Sequence, residues 1–237
     1  AINQVLEKTS DALMMRTAKR PVASGRMSVY EAGIFAFITG AAGVFMMWKF
    51  FNTESAFVSL FSLFLYGFIY TQLKKVNSIS VLVGAIPGAL PCLIGWVAAY
   101  GDAPISWTGA WVLFGIQFLW QFPHFWAIGW FLYDDYEKAG FFMLPTGKQD
   151  KGTAVQTIMY TIWTLIVSII PVFGFTGSLH LSIIAAIIVF ALGLGMVYYA
   201  FRLFKEMTEK AAKQLMLASV SYITLVQIVY VIDKFIR

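Results

Sequence analysis

A run of fifty residues, 152–201, contains no Asp, Glu, Lys or Arg. This feature constrains the fold more than any other. The hydrocarbon core of a bilayer takes about 20 helical residues, so the run is long enough to cross twice. Gly-Phe-Thr-Gly-Ser at 174–178 supplies the break between the two crossings. The stretches 55–73, 76–101 and 103–133 are equally free of charge. With 59% hydrophobic and 12% charged residues, the composition lies far from that of a soluble domain. Spans are predicted at 32–48, 55–73, 78–100, 107–133, 153–175, 179–201 and 214–232. The expected fold is all-α: a polytopic transmembrane helical bundle with seven spans, one domain over 1–237. A β-barrel would need short alternating strands, and none are visible.

The charges between these runs set an orientation. With the N-terminus inside, all Lys and Arg except Lys49, Lys234 and Arg237 fall on one side, which the positive-inside rule makes cytoplasmic. The formal net charge of +5 therefore reflects topology and anionic lipid, and no nucleic-acid partner is expected. Acids gather on the same side, among them Glu7, Asp11, Asp134, Asp135 and Glu137, and no topology rule asks for those. The single cysteine, Cys92, lies within a span, which excludes an intrachain disulfide and a cysteine metal cluster. No cleavable leader is visible. The opening at Ala1, inside a polar motif, is that expected of a fragment.

Two polar segments carry candidate chemistry. Asn3, Glu7 and Asp11 recur every four residues and would stack on one side of a helix, followed by Arg16, Lys19 and Arg20. Read as structure, this is an interfacial loop whose acids pair with its bases. Read as function, it offers oxygen ligands for a divalent cation and cations for a phosphate, and the residues alone leave both readings open. The stretch 120–145 begins as an aromatic-rich helix and ends in Asp134, Asp135 and Lys138. On an ideal helix Gln117, Gln121, His124 and Asp135 share a narrow sector, with Asp135 about 16 Å along the axis from His124. Either these residues pack against neighbouring helices, or they line a polar cavity with a charged mouth. Tyr70 and Lys74, one turn apart, read first as an interface anchor. Gly84, Pro87, Gly88 and Pro91 read as close packing and kinks. Acid clusters that hold Mg²⁺ beside a greasy, aromatic interior suit departure of a diphosphate and stabilisation of an allylic cation.

Taken together, these motifs resemble the UbiA-type intramembrane prenyltransferases, and within them the haem-farnesylating branch. The likeness rests on Asn3-xxx-Glu7-xxx-Asp11 with the stretch 14–25, and on Tyr70-Thr-Gln-Leu-Lys74-Lys75. It rests further on Gly-Ala-Ile-Pro-Gly-Ala-Leu-Pro from Gly84, on Pro123-His-Phe-Trp126, and on the stretch 135–145. It covers essentially the whole chain, and the last two blocks are its most specific part. The resemblance implies farnesyl transfer from farnesyl diphosphate to a vinyl group of haem b, giving haem O. By that likeness Glu7, Asp11 and Asp135 are metal ligands for Mg²⁺, and Lys74 joins them as catalytic. Asn3 supports the first cluster, and Tyr70 binds substrate. Arg16, Arg20 and Lys138, with Lys74, hold the diphosphate, and His124 positions the porphyrin. Implied partners are membrane lipid and a haem A synthase or terminal oxidase assembly, and the implied location is the plasma or inner membrane. The chain departs from the pattern at Glu7 (commonly Asp), at Thr9 (often a further Asp) and at Phe142 (usually Pro). The family normally has nine spans, so two are expected to be missing ahead of Asn3.

Two other readings follow from the same residues. One keeps the reaction but changes the acceptor to the aromatic ring of a quinone precursor, against which Pro-His-Phe-Trp speaks. The other is a transporter or a haem-binding membrane subunit. Transporters place ionisable groups at the midplane, whereas here the span interiors hold only His124.

Overall fold

The computed structural model describes residues 1–73, 76–100 and 103–237. Among these residues the fold is all helical. Short α1 (Ile2–Leu6) and α2 (Lys8–Leu13) precede α3 (Val29–Phe50) and α4 (Thr53–Phe64), which runs into a π-helical stretch (Leu65–Tyr70) and α5 (Thr71–Leu73). Then come α6 (Ser80–Tyr100), α7 (Trp107–Phe131), α8 (Tyr133–Lys138), α9 (Lys151–Ile169) with a 3-10 turn (Ile170–Phe173), α10 (Ile183–Glu206) and α11 (Glu209–Ile236).

Six helical segments among the described residues are long and apolar enough to cross a membrane, and each coincides with an expected span. The seventh expected span, α7, has 25 residues and no Asp, Glu, Lys or Arg. Its Gln117, Gln121, Pro123 and His124, with five tryptophans, lower its hydropathy below the level of the others. Helices α3, α4, α9 and α11 begin ahead of the expected spans, because capping rather than charge sets where a helix starts. Ser28 and Glu31 form a reciprocal capping box on α3. Asn52, Asp150, Ser182 and Thr208 cap α4, α9, α10 and α11 through their side-chain oxygens. The backbone N–H of Thr153 donates to Asp150 at 2.8 Å and holds that carboxyl below its ordinary range.

The contacts divide into two compact units. The first comprises Ala1–Ala103 and Leu132–Met143, the second Pro104–Phe131 and Leu144–Arg237. In the second unit α7 packs on α9, α9 on α10, α10 on α11 and α11 on α7, which closes a ring of four helices. Hydroxyls do not obstruct this packing. Thr157, Thr161, Thr164 and Ser168 each donate to the carbonyl four residues back, within α9. Each is buried, with its polar atom satisfied inside its own helix. Small residues let the helices approach. A Cβ on Gly193 of α10 would lie 2.5 Å from Cδ1, 2.8 Å from Cγ and 3.1 Å from Cβ of Leu165 on α9. The clash reaches the root of the leucine side chain, so a rotamer change alone cannot relieve it. Gly193→Val is expected to cost about 1–3 kcal/mol, read as a lower midpoint of thermal unfolding in detergent. An unchanged midpoint would show that α9 and α10 can separate freely.

In the first unit α3, α4 and α6 pack in sequence, and α1 lies on α3. The π-helical stretch bears the N-terminal segment. Ile2 packs on Gly67, where a Cβ would come within 3.2 Å of Ile2 Cγ2. Thr71 Oγ1 donates to Tyr66 O at 2.9 Å and contacts Asn3 Oδ1 at 3.2 Å. The widened turn is thus satisfied by a side chain and docks α1 through a glycine and a threonine.

Candidate functional site

The first unit gathers most of the polar residues singled out in the sequence. Asn3, Glu7 and Asp11 do not lie on one continuous helix, because the backbone leaves helical geometry at Glu7 (φ −114, ψ 14). The four-residue relation survives in the hydrogen bonds: Glu7 N–H donates to Asn3 O at 2.8 Å and Asp11 N–H to Glu7 O at 2.7 Å. Glu7 and Asp11 are both buried, at 1% and 0% exposure. Burial of a carboxylate demands a partner, and Asp11 has Arg20, whose Nη1 contacts its two oxygens at 3.1 and 3.0 Å. Thr17 Oγ1 donates to Asp11 O at 2.9 Å, which folds residues 14–20 back over the acid. Beyond them Gly25 takes φ 76 at the end of Ala23-Ser24-Gly25, a conformation that a side chain would strain.

The second acid joins this segment from 120 residues away. Met15 N–H donates to Asp135 Oδ1 at 3.1 Å, and Arg16 Nη2 contacts Tyr136 Oη at 3.4 Å. Burial pushes the Tyr136 phenol above its ordinary pKa, against the opposing pull of Arg16. Lys138 stands exposed in the last turn of α8. Asp11 and Asp135 are therefore neighbours of one loop, 14–20, and not residues of distant surfaces. Tyr136 and Thr71 were not singled out in the sequence. Each adjoins a residue that was, and only the folded chain shows which groups they meet. Lys74 lies outside the described residues.

Tyr70 closes the π-helical stretch, pairs with Tyr66 at 5.3 Å between ring centroids, and lies within electrostatic range of Glu7 and Tyr136. Its ring occupies the space that a side chain on Gly84 would need, with two ring carbons 2.6 Å from an ideal Cβ there. Gly84 therefore has a more particular role than general helix packing: it seats Tyr70. Gly84→Ala should displace the Tyr70 ring and lower activity while the helices still form. Tyr70→Leu in the same chain should relieve the crowding and recover stability but not activity. Wild-type turnover in Gly84→Ala would remove Tyr70 from the site.

The donor chemistry of this cluster suits a hard divalent cation, since Glu7, Asp11, Asp135 and Asn3 all present oxygen. Among the described residues no three of His, Cys, Asp or Glu stand close enough to form a ligand group. Asp11 is held by Arg20, and Asp135 by the Met15 amide. The donors are assembled in one region without converging on one point.

In the second unit α7 carries the other polar residues. The expectation that Asp135 continues the Gln117–Gln121–His124 stripe is corrected: α7 ends at Phe131, and Leu132 (φ −112, ψ 23) separates it from α8. Gln121 is buried and its Nε2 donates to Gln117 O at 3.0 Å, while Gln117 Oε1 is buried without a hydrogen-bond partner among the described residues. His124 stacks on Trp120 with ring centroids 4.7 Å apart, and its Nδ1 lies 2.8 Å from Ser219 Oγ on α11. Trp120 Nε1 donates to Ser219 O at 2.6 Å. The stripe does hydrogen-bond to a neighbouring helix, and Ser219 is the contact that sequence periodicity could not reveal.

The sequence profile of the UbiA prenyltransferase family matches residues 1–223. A protoheme IX farnesyltransferase of Christiangramia forsetii is 59% identical over all 237 residues, covering 100% of this chain and 78% of that protein. Proteins of the same description from Flavobacterium johnsoniae and Flavobacterium psychrophilum are 57% and 54% identical, again over 100% of this chain and 78% of theirs. No solved structure matches. By profile and by relatives alike, this chain belongs to the UbiA prenyltransferase family.

Proposed function

We propose that this chain transfers a farnesyl group from farnesyl diphosphate to a vinyl group of haem b, giving haem O. The observation that carries this reading is the identity of 59% along the whole chain with a protoheme IX farnesyltransferase. The Pro123-His-Phe-Trp126 and 135–145 blocks add to it.

Farnesyl transfer of this kind begins when the allylic C–O bond breaks and diphosphate departs. The vinyl π electrons then attack the allylic carbon, and water adds to the resulting cation with loss of a proton. Arg16, Lys74 and Lys138 hold the diphosphate oxygens, and Arg20 joins them by turning part of its guanidinium away from Asp11. Glu7, Asp11 and Asp135 would hold Mg²⁺, with Asn3 supporting the first of them. When bound, that ion supplies neutralisation of the leaving group's charge. Tyr70, seated on Gly84, offers its ring face to the developing cation. His124 positions the porphyrin. The loops that carry the acids lie on the cytoplasmic side of the plasma or inner membrane, and the product passes to a haem A synthase or a terminal oxidase assembly.

Membranes that contain the full-length protein, incubated with farnesyl diphosphate and haem b, should yield a hydroxyethylfarnesyl haem by mass spectrometry. Product from hydroxybenzoate or a naphthoate alone would move the chain to the quinone branch. Uptake of haem with no prenylated product would make it a carrier.

A further inference from the structure

Ser219 Oγ lies 2.7 Å from Met216 O and 2.8 Å from His124 Nδ1. A serine hydroxyl has one hydrogen, and a carbonyl oxygen can only accept. If that hydrogen went to Nδ1, two oxygens would face each other at 2.7 Å with nothing between them. If it goes to Met216 O, the imidazole N–H must donate to Ser219 Oγ, and both contacts become hydrogen bonds. Only the second arrangement satisfies every atom. Trp120 reinforces it from both sides, since its ring stacks on His124 at 19° between planes and its N–H grips the Ser219 carbonyl. Ser219 is fully buried, so water does not compete for the hydroxyl.

From this geometry we infer that Ser219 is a positioning residue: it fixes the neutral His124 ring with its proton on Nδ1 and leaves Nε2 as the bare, ligand-ready nitrogen. Nε2 makes no hydrogen bond among the described residues and is not one of the enclosed polar atoms. A bare imidazole nitrogen, oriented by a hydrogen bond at the other nitrogen, is the form that coordinates a metal. The ligand class for Nε2 is therefore a Lewis acid, and haem iron is the member that the proposed reaction brings. This inference rests on the reading of His124 as the porphyrin-side residue. Two measurements separate the inference from that reading.

In ¹⁵N-histidine-labelled protein, the resonances that disappear in a His124→Gln variant are those of His124. The full-length protein in detergent micelles near neutral pH should show a protonated Nδ1 and an unprotonated Nε2. The opposite tautomer, or an even mixture, overturns the inference without any change at Ser219. Titration of haem b then tests the consequence, read in the Soret region. Ser219→Ala should weaken haem affinity roughly 10- to 100-fold, as loss of an outer-sphere hydrogen bond to a ligating histidine does, while farnesyl diphosphate affinity stays unchanged. Ser219→Thr keeps the hydroxyl and should restore both the affinity and the spectrum. Haem affinity in Ser219→Ala equal to wild type overturns the inference, as does equal loss of both substrates. Unaltered haem binding in His124→Ala overturns the reading of His124 itself.

Discussion

Asp11→Asn lowers turnover of farnesyl diphosphate by roughly 10³-fold or more while the protein still inserts into the membrane. The expectation follows from where the residue stands. Asp11 is fully buried, and among the described residues its charge is met by the Arg20 guanidinium. An amide keeps the shape but binds a hard cation weakly. A loss of about 4 kcal/mol in stabilising a departing diphosphate corresponds to that factor in rate. Asp135→Asn should act in the same way, because Asp135 is held by the loop that folds over Asp11. The measurement is haem O formed per mole of purified, membrane-inserted protein. Full turnover in the double variant would remove the carboxylates from the chemistry and, with them, the proposed Mg²⁺ site.

The second large effect concerns stability and separates the partners of one ion pair. Arg20 keeps 35% of its side chain exposed, and Asp11 keeps 1%. Arg20→Met leaves a carboxylate buried with its guanidinium gone, at a cost of about 3 kcal/mol. For a chain of this size that is a drop of roughly 6–12 °C in the unfolding midpoint. Asp11→Asn should cost much less, since Arg20 can turn to water. The double variant should recover most of the loss, which a double-mutant cycle would register as coupling between the two residues. Millimolar Mg²⁺ should stabilise Arg20→Met more than the wild type, because the ion replaces the missing positive charge. Equal destabilisation by the two single variants would contradict the burial asymmetry, and an Mg²⁺ effect of zero would argue that Asp11 does not meet the ion.

Most of the membrane architecture was legible in the chain because uncharged runs and spanning helices obey the same length rule. The helix ends were less legible. Ser28, Asn52, Asp150, Ser182 and Thr208 set five helix starts by capping, and Ser182 does so inside an uncharged run. Helix α7 has the length of a seventh span and no charged residue, but Gln117, Gln121 and His124 together with its tryptophans keep it outside the six most hydropathic helices. The two acidic segments were visible as motifs and came out in one unit. Their joining contacts, Met15 to Asp135 and Arg16 to Tyr136, could not be read, because nothing in local periodicity pairs residues 120 positions apart. The same holds for Ser219 and His124, 95 positions apart. Extrapolating an ideal helix from His124 to Asp135 failed for a simpler reason: the helix stops first.

The π-helical stretch before Thr71 has one further consequence. A π turn accommodates one residue more than an α turn, so Leu65–Tyr70 behaves as a single-residue insertion absorbed inside a spanning helix. Everything after it is rotated by about 100° relative to an uninterrupted helix. Excising one residue there would regularise the backbone, and the ring now resting on Gly84 would swing to another side. Chain length at this point, as much as residue identity, determines which way Tyr70 looks.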